Sequence, residues 1–473
     1  MTAGRGEFRP ELQGLRAIAV FLVIATHAGM GILPGGFIGV DLFFVLSGYL
    51  ISGALIREIS DSGRVALAGF YARRLRRLLP ALVFMLSGSS VAALILLSGP
   101  EAREQLASVP YAATWTSNIF FALSTVDYFD DLSAFDLYLH TWSLGVEEQF
   151  YLVWPGLLMT FGWLAGRPGR AGQRRRRLMA GLMATLVGSL GLSLYWTGAA
   201  PDAAFYQMPS RVWQFAAGAL VYCALNVDTP AWIASRVGRS GPAAGAMSLL
   251  AGLVLVGGLV FIGPHQAYPG WSALWPTLAA ALFIAAGYFF PAGVANPLAH
   301  PGLVWIGNRS YSLYLWHWPV LALGFSFGLK GELLPTVSMI VLVMGLAEIS
   351  YRYVEFPFWK GQFAGLNARL ALLSGSLASI SLVAACFIGA RLLPLPVVYE
   401  KDLMSESPVI YQMGCDSWHR SAEVVPCEIG RRAAKKTVVL MGDSVGAQWY
   451  SMLPELYPQP EWRIVVLTKS SCP

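Results

Sequence analysis

Leu15-Arg16-Ala17-Ile18-Ala19-Val20-Phe21-Leu22-Val23-Ile24-Ala25-Thr26-His27 decides the architecture. Between a cation at its start and an imidazole at its end, it is apolar almost throughout. Continued to about residue 31, the run is long enough to cross the ~30 Å hydrocarbon core of a bilayer as a helix. Similar runs follow at about 37–56, 79–98, 142–165, 178–196, 211–226, 244–262, 272–290, 303–326, 333–351 and 371–393. The sequence therefore predicts an all-α polytopic membrane bundle of about 11 transmembrane helices.

Composition agrees. Hydrophobic residues make up 56% of the 473 and charged residues 13%, and mean hydropathy is +0.55. A soluble globular chain carries about 25% charged residues. Disordered, collagen-like and disulfide-scaffold classes are excluded. The basic balance, 33 Lys and Arg against 27 Asp and Glu, concerns orientation rather than nucleic acid, because the cations lie beside the apolar runs. With a cytoplasmic N-terminus, the inner segments hold Arg57, Arg64, Arg73, Arg74, Arg76, Arg77, Arg167, Arg170, Arg174 to Arg177, Arg236, Arg239, Arg352, Lys360 and Arg369. The loop 99–141 then falls outside with Glu101, Glu104, Asp127, Asp130, Asp131 and Asp136 against a single Arg103. No cleavable signal peptide is expected, and the location is the cell inner (cytoplasmic) membrane.

An odd number of spans places the tail after 393 outside, where disulfides form. Cys415 and Cys427 can close a short loop there, which leaves Cys472 over; Cys223 and Cys386 sit in apolar runs as packing residues. The organisation expected is a membrane domain over 1–365, a last span and polar linker over 366–435, and an incomplete α/β unit over 436–473. The last opens with an apolar strand, Thr437 to Met441, followed by Gly442-Asp443-Ser444, and a second strand is expected at Arg463–Thr468.

An ionisable group inside a span is a functional candidate by default. Arg16 and His27 share the first span eleven positions apart, ~16 Å along a helix, with Arg16 near the cytoplasmic mouth and His27 toward the outside. Asp41 enters the second span, Glu147 and Glu148 begin the fourth, and His317 lies mid-span between Trp316 and Trp318. A histidine flanked by carboxylates suits general-base chemistry; the bland alternative is a polar network that locks helices together. His317 reads first as a hydrogen-bonded packing residue and His140 as an interfacial one. Arg73, Arg74, Arg76 and Arg77 open the third span, and arginines three apart can clamp a polyphosphate, although positive-inside anchoring explains the cluster almost as well. No spacing suits a metal, and neither a Walker loop nor a dinucleotide-binding glycine motif is present.

Five motifs in order resemble the membrane-bound acyltransferase-3 family: Arg16 with ten residues before His27; Gly39 to Tyr49; Arg73 to Pro80; Trp142 to Tyr151; and Tyr311 to Pro319. The resemblance covers nearly the first 360 residues. It implies transfer of an acyl group, most often acetyl, from a cytoplasmic coenzyme A thioester to a hydroxyl of a glycan outside, such as lipopolysaccharide O-antigen, peptidoglycan or exopolysaccharide. Acyl-CoA is the donor substrate and no cofactor is bound. In that reading His27 is the catalytic centre, acylated itself or relaying a proton. Asp41 and Glu147 orient it, with Glu148 able to replace Glu147. Arg74 and Arg77, with Arg16, Arg73 and His317, serve the substrates.

Gly442-Asp443-Ser444 after a strand resembles the first block of an SGNH hydrolase domain, which would make Ser444 a nucleophile. That chemistry needs a histidine base, yet no histidine follows His419 and no asparagine follows Asn367. The expectation is a truncated or split SGNH partner rather than a dead one. Two rivals remain at this point: a proton-coupled carrier or flippase, and a binding or sensing protein that keeps only the fold. The absence of paired Gly/Pro-interrupted helices in two halves leans toward catalysis.

Overall fold

In the computed structural model the described residues are 8–29, 35–124, 128, 136–163, 171–226, 241–263, 266–290, 296–392, 410, 413–415, 426–430 and 433–469, the side chains of 162–163, 171–175 and 241 excepted. Arg167, Arg170, Arg236, Arg239, Asp127, Asp130, Asp131, His419, Cys472, the side chains of Arg174 and Arg175, and most of the linker 394–435 lie outside them. Residues 1–393 and 394–473 form two compact units.

In the first unit a helix lies on every apolar run: α1 (Pro10–His27), α2 (Gly39–Ser62), α3 (Leu67–Leu96), α6 (Trp142–Trp163), α7 (Ala171–Ala199), α9 (Val212–Asn226), α10 (Gly241–Phe261), α11 (Leu274–Phe289), α12 (Pro301–Asn308), α13 (Ser310–Ser326), α14 (Leu333–Ile349) and α16 (Ala368–Leu392). Shorter helices α4 (Gly99–Ala113), α5 (Ser117–Leu123), α8 (Pro201–Tyr206) and α15 (Phe356–Trp359) connect them. Among the described residues six stretches are long and apolar enough to cross a membrane: Gly36–Ser62, Leu67–Leu96, Arg176–Ala199, Pro242–Phe261, Leu333–Trp359 and Ala368–Leu392. Val212–Asn226 and Leu274–Phe289 are apolar but shorter, while α1 and α6 carry ionisable side chains. The outward faces remain apolar; Ile95 is 74% exposed and Leu333 79%, as lipid contact requires.

Two runs depart from a single helix. The run 303–326 breaks at Arg309 into α12 and α13. The run 333–351 continues past its expected end through a π-helical turn, Ser350–Glu355, into α15. Pro357 lacks an N–H and cannot bond the carbonyl four residues back, so regular hydrogen bonding stops there. Single π turns inside α-helices are frequent at functional sites.

Close helix contacts position the site. A Cβ on Gly48 of α2 would strike the main chain of Phe215 in α9, and one on Gly218 would meet the carbonyl of Val45 and, at 2.7 Å, the amide of Tyr49. Small residues on both helices thus bring α2 and α9 backbone to backbone. Between α3 and α6, α4 begins with a capping box in which the Ser98 amide and hydroxyl donate to Glu101 at 3.0 and 2.7 Å, stabilising a helix start.

Among its described residues the second unit holds three strands: β1 (Cys427–Ile429), β2 (Lys436–Gly442) and β3 (Trp462–Thr468), ordered β1-β3-β2. β2 and β3 are parallel and β1 runs antiparallel to β3. The crossover carries α17 (Ser444–Gln448) and α18 (Leu453–Leu456). Ile464, Val466, Ala447 and Tyr450 make a small core, and a disulfide joins Cys415 to Cys427 with Cα atoms 5.2 Å apart.

Candidate functional site

Helices α1, α2, α3, α6 and α13 line a cavity of about 100 Å³. Arg16, Arg74 and Arg77 line it together with Ser47, Glu147 and Tyr151. Helical geometry explains the selection along α3. Positions three apart share a face, so Arg74 and Arg77 both reach inward, whereas Arg73 turns away, is 55% exposed and pairs with Glu58 at 3.5 Å. The expected binding role of Arg73 finds no place in this cavity. Arg74 lies over the ring of Tyr151 at 5.3 Å and Arg77 over Trp359 at 4.7 Å. Glu147 accepts hydrogen bonds from the Ser47 and Tyr151 hydroxyls. It is therefore the member of the Glu147–Glu148 pair that faces the cavity, among the arginines rather than beside His27. Three guanidinium groups in a mostly apolar cavity can grip phosphate oxygens through paired N–H bonds.

Behind the arginines stands a carboxylate that sequence reading missed. Glu355 closes the π turn, is 1% exposed, and accepts from the Ser312 hydroxyl at 2.8 Å. It lies within electrostatic reach of Arg77 and Arg16.

At the other end of α1 the structure brings His27 and His317 together. The His317 Nδ1 stands 2.6 Å from the carbonyl oxygen of Tyr314, His27 Nδ1 lies 2.9 Å from His317 Nε2, and the Tyr128 hydroxyl lies 2.6 Å from His27 Nε2. With both rings neutral, this series admits one assignment. A carbonyl oxygen can only accept, so His317 Nδ1 carries a proton and donates. Its Nε2 is then the acceptor for the proton on His27 Nδ1. The lone pair of His27 is left on Nε2, where it accepts from Tyr128. His317 thus orients His27 rather than acting as a separate packing residue. His140, expected at an interface, is 1% exposed and meets the His317 ring edge to face at 5.4 Å.

The expected carboxylate partners of His27 are elsewhere. Asp41 is 2% exposed and bonded to Arg211 at 3.2 Å, Gln214 at 2.5 Å and Tyr268 at 2.5 Å. A buried carboxylate is tolerable only with such a full set of partners, and these hold α2 against α9. Among the described residues His27 is bonded only to a histidine and a tyrosine. Tyr128 gave no sequence signal because it sits in a polar loop without periodicity, and Arg211 is hidden at the start of an apolar run, where an anchoring cation is commonplace.

Tyr314 separates the two ends. Its side chain lines the arginine cavity, its hydroxyl donates to the His140 carbonyl at 2.9 Å and is bonded to Ser143 at 2.7 Å, and its main chain sets the histidine tautomers. Ser444 of the second unit is exposed at the turn from β2 into α17. Asp443 caps that helix by accepting from the amides of Val445 and Gly446 at 2.9 and 3.2 Å. No histidine base meets Ser444 among the described residues.

Residues 9–352 match the family described as Acyltransferase domain, the third acyltransferase group. The peptidoglycan O-acetyltransferase OatA of Listeria monocytogenes is 30% identical over 374 residues, covering 76% of this chain and 57% of that protein. The O-acetyltransferase OatA of Staphylococcus aureus is 32% identical over 372 residues, covering 75% and 58%. The chain thus spans less than three fifths of the length of these relatives. No solved structure matches it. The family match takes in well over half of the sequence and both ends of the site just described, and the chain belongs to the acyltransferase-3 family.

Proposed function

We propose that this chain is the membrane part of an O-acetyltransferase that takes an acetyl group from cytoplasmic acyl-CoA and delivers it to a glycan hydroxyl outside the cell. Of the acceptors the resemblance implies, peptidoglycan is favoured by the name of the Listeria relative. On this reading eleven helices cross the cytoplasmic membrane, the N-terminus and the arginine cavity face the cytoplasm, and His27 faces outward. The second unit is the start of an SGNH-like domain whose Ser444 depends on a histidine this sequence does not place after it.

The observation that carries the proposal is the hydrogen-bond series from the Tyr314 carbonyl through His317 to His27. It leaves a basic lone pair on His27 Nε2 aimed at a hydroxyl, the arrangement general-base acyl transfer needs. Arg16, Arg74 and Arg77 hold the phosphates of the donor. Glu147, fixed by Ser47 and Tyr151, and Glu355 behind Ser312 keep those guanidinium groups in place. The glycan hydroxyl, in the place the Tyr128 hydroxyl holds at His27, gives its proton to Nε2 as its oxygen attacks the acyl carbon. The departing sulfur then takes that proton.

The test compares ester-linked acetyl on the host's surface glycans when the chain or its His27→Ala variant is present at matched membrane abundance. The intact chain is expected to add ester and the variant to add none. Equal ester from both would sink the role of His27. Substrate flux across the membrane without new ester would identify a carrier instead.

A further inference from the structure

A second, smaller cavity of about 10 Å³, room for about one water molecule, lies on the His27 side. Asp41, Tyr128, Trp142, Phe205, Arg211 and Tyr268 line it. It places the hydroxyl that faces His27 Nε2 beside a guanidinium group that is 1% exposed. Arg211 donates through Nε to the Phe205 carbonyl at 3.0 Å and through Nη1 to Asp41. Tyr268 is a further hydrogen-bond partner, and the group still borders the cavity. Aromatic rings close over it, with Phe205 and Tyr268 each 5.2 Å from the guanidinium carbon and Trp142 at 5.7 Å. Structural pairing with Asp41 alone accounts for neither the rings nor the void.

We propose that this cavity receives the acyl carbonyl oxygen and that Arg211 binds that oxygen and stabilises its charge during transfer. The inference rests on the acetyltransferase reading and names a part of the same site. As the oxygen of the glycan hydroxyl bonds to the acyl carbon, its proton passes to His27 Nε2 and the carbonyl electron pair moves onto oxygen, where Arg211 meets it. Collapse restores the carbonyl and breaks the carbon–sulfur bond, and the thiolate leaves with the proton from His27. A preorganised donor in a water-poor site favours the charged intermediate over the uncharged substrate. Val40 also limits acyl length. Val40 lines both this cavity and the larger one, so a donor arm held by the arginines ends at the side chain that bounds the acyl group.

The test follows thiol release from acetyl-CoA and propionyl-CoA by membranes carrying the full chain with its glycan acceptor. Arg211→Lys keeps a cation beside Asp41 but removes the planar fork. It is expected to lower kcat about 100-fold or more while KM for acetyl-CoA changes less than about two-fold. The double variant Asp41→Asn with Arg211→Gln, which leaves no unpaired charge, is expected to lose as much. Val40→Ala is expected to raise the propionyl-to-acetyl ratio about tenfold, the scale of one methylene in a pocket. Wild-type kcat in Arg211→Lys, or an unchanged ratio in Val40→Ala, would overturn the proposal. Thiol release by the unaltered chain that survives those results would leave the acetyltransferase reading standing. No thiol release from the unaltered chain would sink both.

Discussion

His27, Arg16, Arg74 and Arg77 are legible from the sequence for one physical reason. Charge and imidazole inside or beside an apolar run are expensive, so they are conspicuous. What the sequence hides is pairing. Asp41 and His27 look like natural partners, yet the carboxylate is taken by Arg211, Gln214 and Tyr268, contacts that span more than 160 positions of chain. The α3 cluster separates by angle. Arg73→Ala is expected to leave KM for the acyl donor within about two-fold, since an exposed ion pair contributes little. Arg74→Ala should raise it tenfold or more, because bonds to a charged group are each worth about 1.5–3 kcal/mol. Steady-state kinetics on membranes separates the two, and equal effects would remove the distinction drawn from helix geometry.

Element positions were readable because apolar runs announce them; interruptions were not. Nothing in the hydropathy of 303–326 marks the break at Arg309, and the π turn at Ser350–Glu355 depends on tertiary contacts of Glu355 as much as on Pro357. The segment before α6 was legible only as an acidic loop, yet its last carboxylate is part of the packing. Asp136 accepts from the Ser108 hydroxyl and from the Tyr138 amide at 2.8 Å, and its own carbonyl receives the Trp318 indole N–H at 2.8 Å. Burial pushes its pKa up to about 6, above the unfolded value near 3.9. The folded state therefore holds this proton more tightly. The associated stability is fully present below about pH 4 and is lost as pH rises through about 6. Thermal unfolding in detergent should show that loss in the wild-type chain and a flatter dependence between pH 4 and 6 in Asp136→Asn. Parallel curves would assign the slope to other groups.

At the scale of the whole molecule, two units answer to different physics. The first is stabilised by packed apolar helices, and its membrane character was plain from composition. The second has a core of a few residues and a disulfide, and its strands were legible as two short apolar runs, while β1 was not, because Cys427–Ile429 is too short to show a pattern. Closing a loop with a sequence separation of 12 residues stabilises by about 2–4 kcal/mol. Replacing Cys415 and Cys427 with serine in the intact chain is expected to speed proteolysis of the tail, read on gels over time, with thiol release by the membrane unit unchanged. Tail cleavage at the wild-type rate would show that the small core suffices. The partition at Tyr314 matters at this scale as well. On the proposed orientation, cytoplasm and exterior approach each other through one protein, and any water-filled channel between them would let protons run down the membrane potential. On that orientation the Tyr314 ring, with its hydroxyl tied to Ser143 and the His140 carbonyl, would act as an electrical seal between the arginine cavity and the histidine pair. On the proposed function, an enzyme built this way would hand an acetyl group outward without short-circuiting the cell that supplies it.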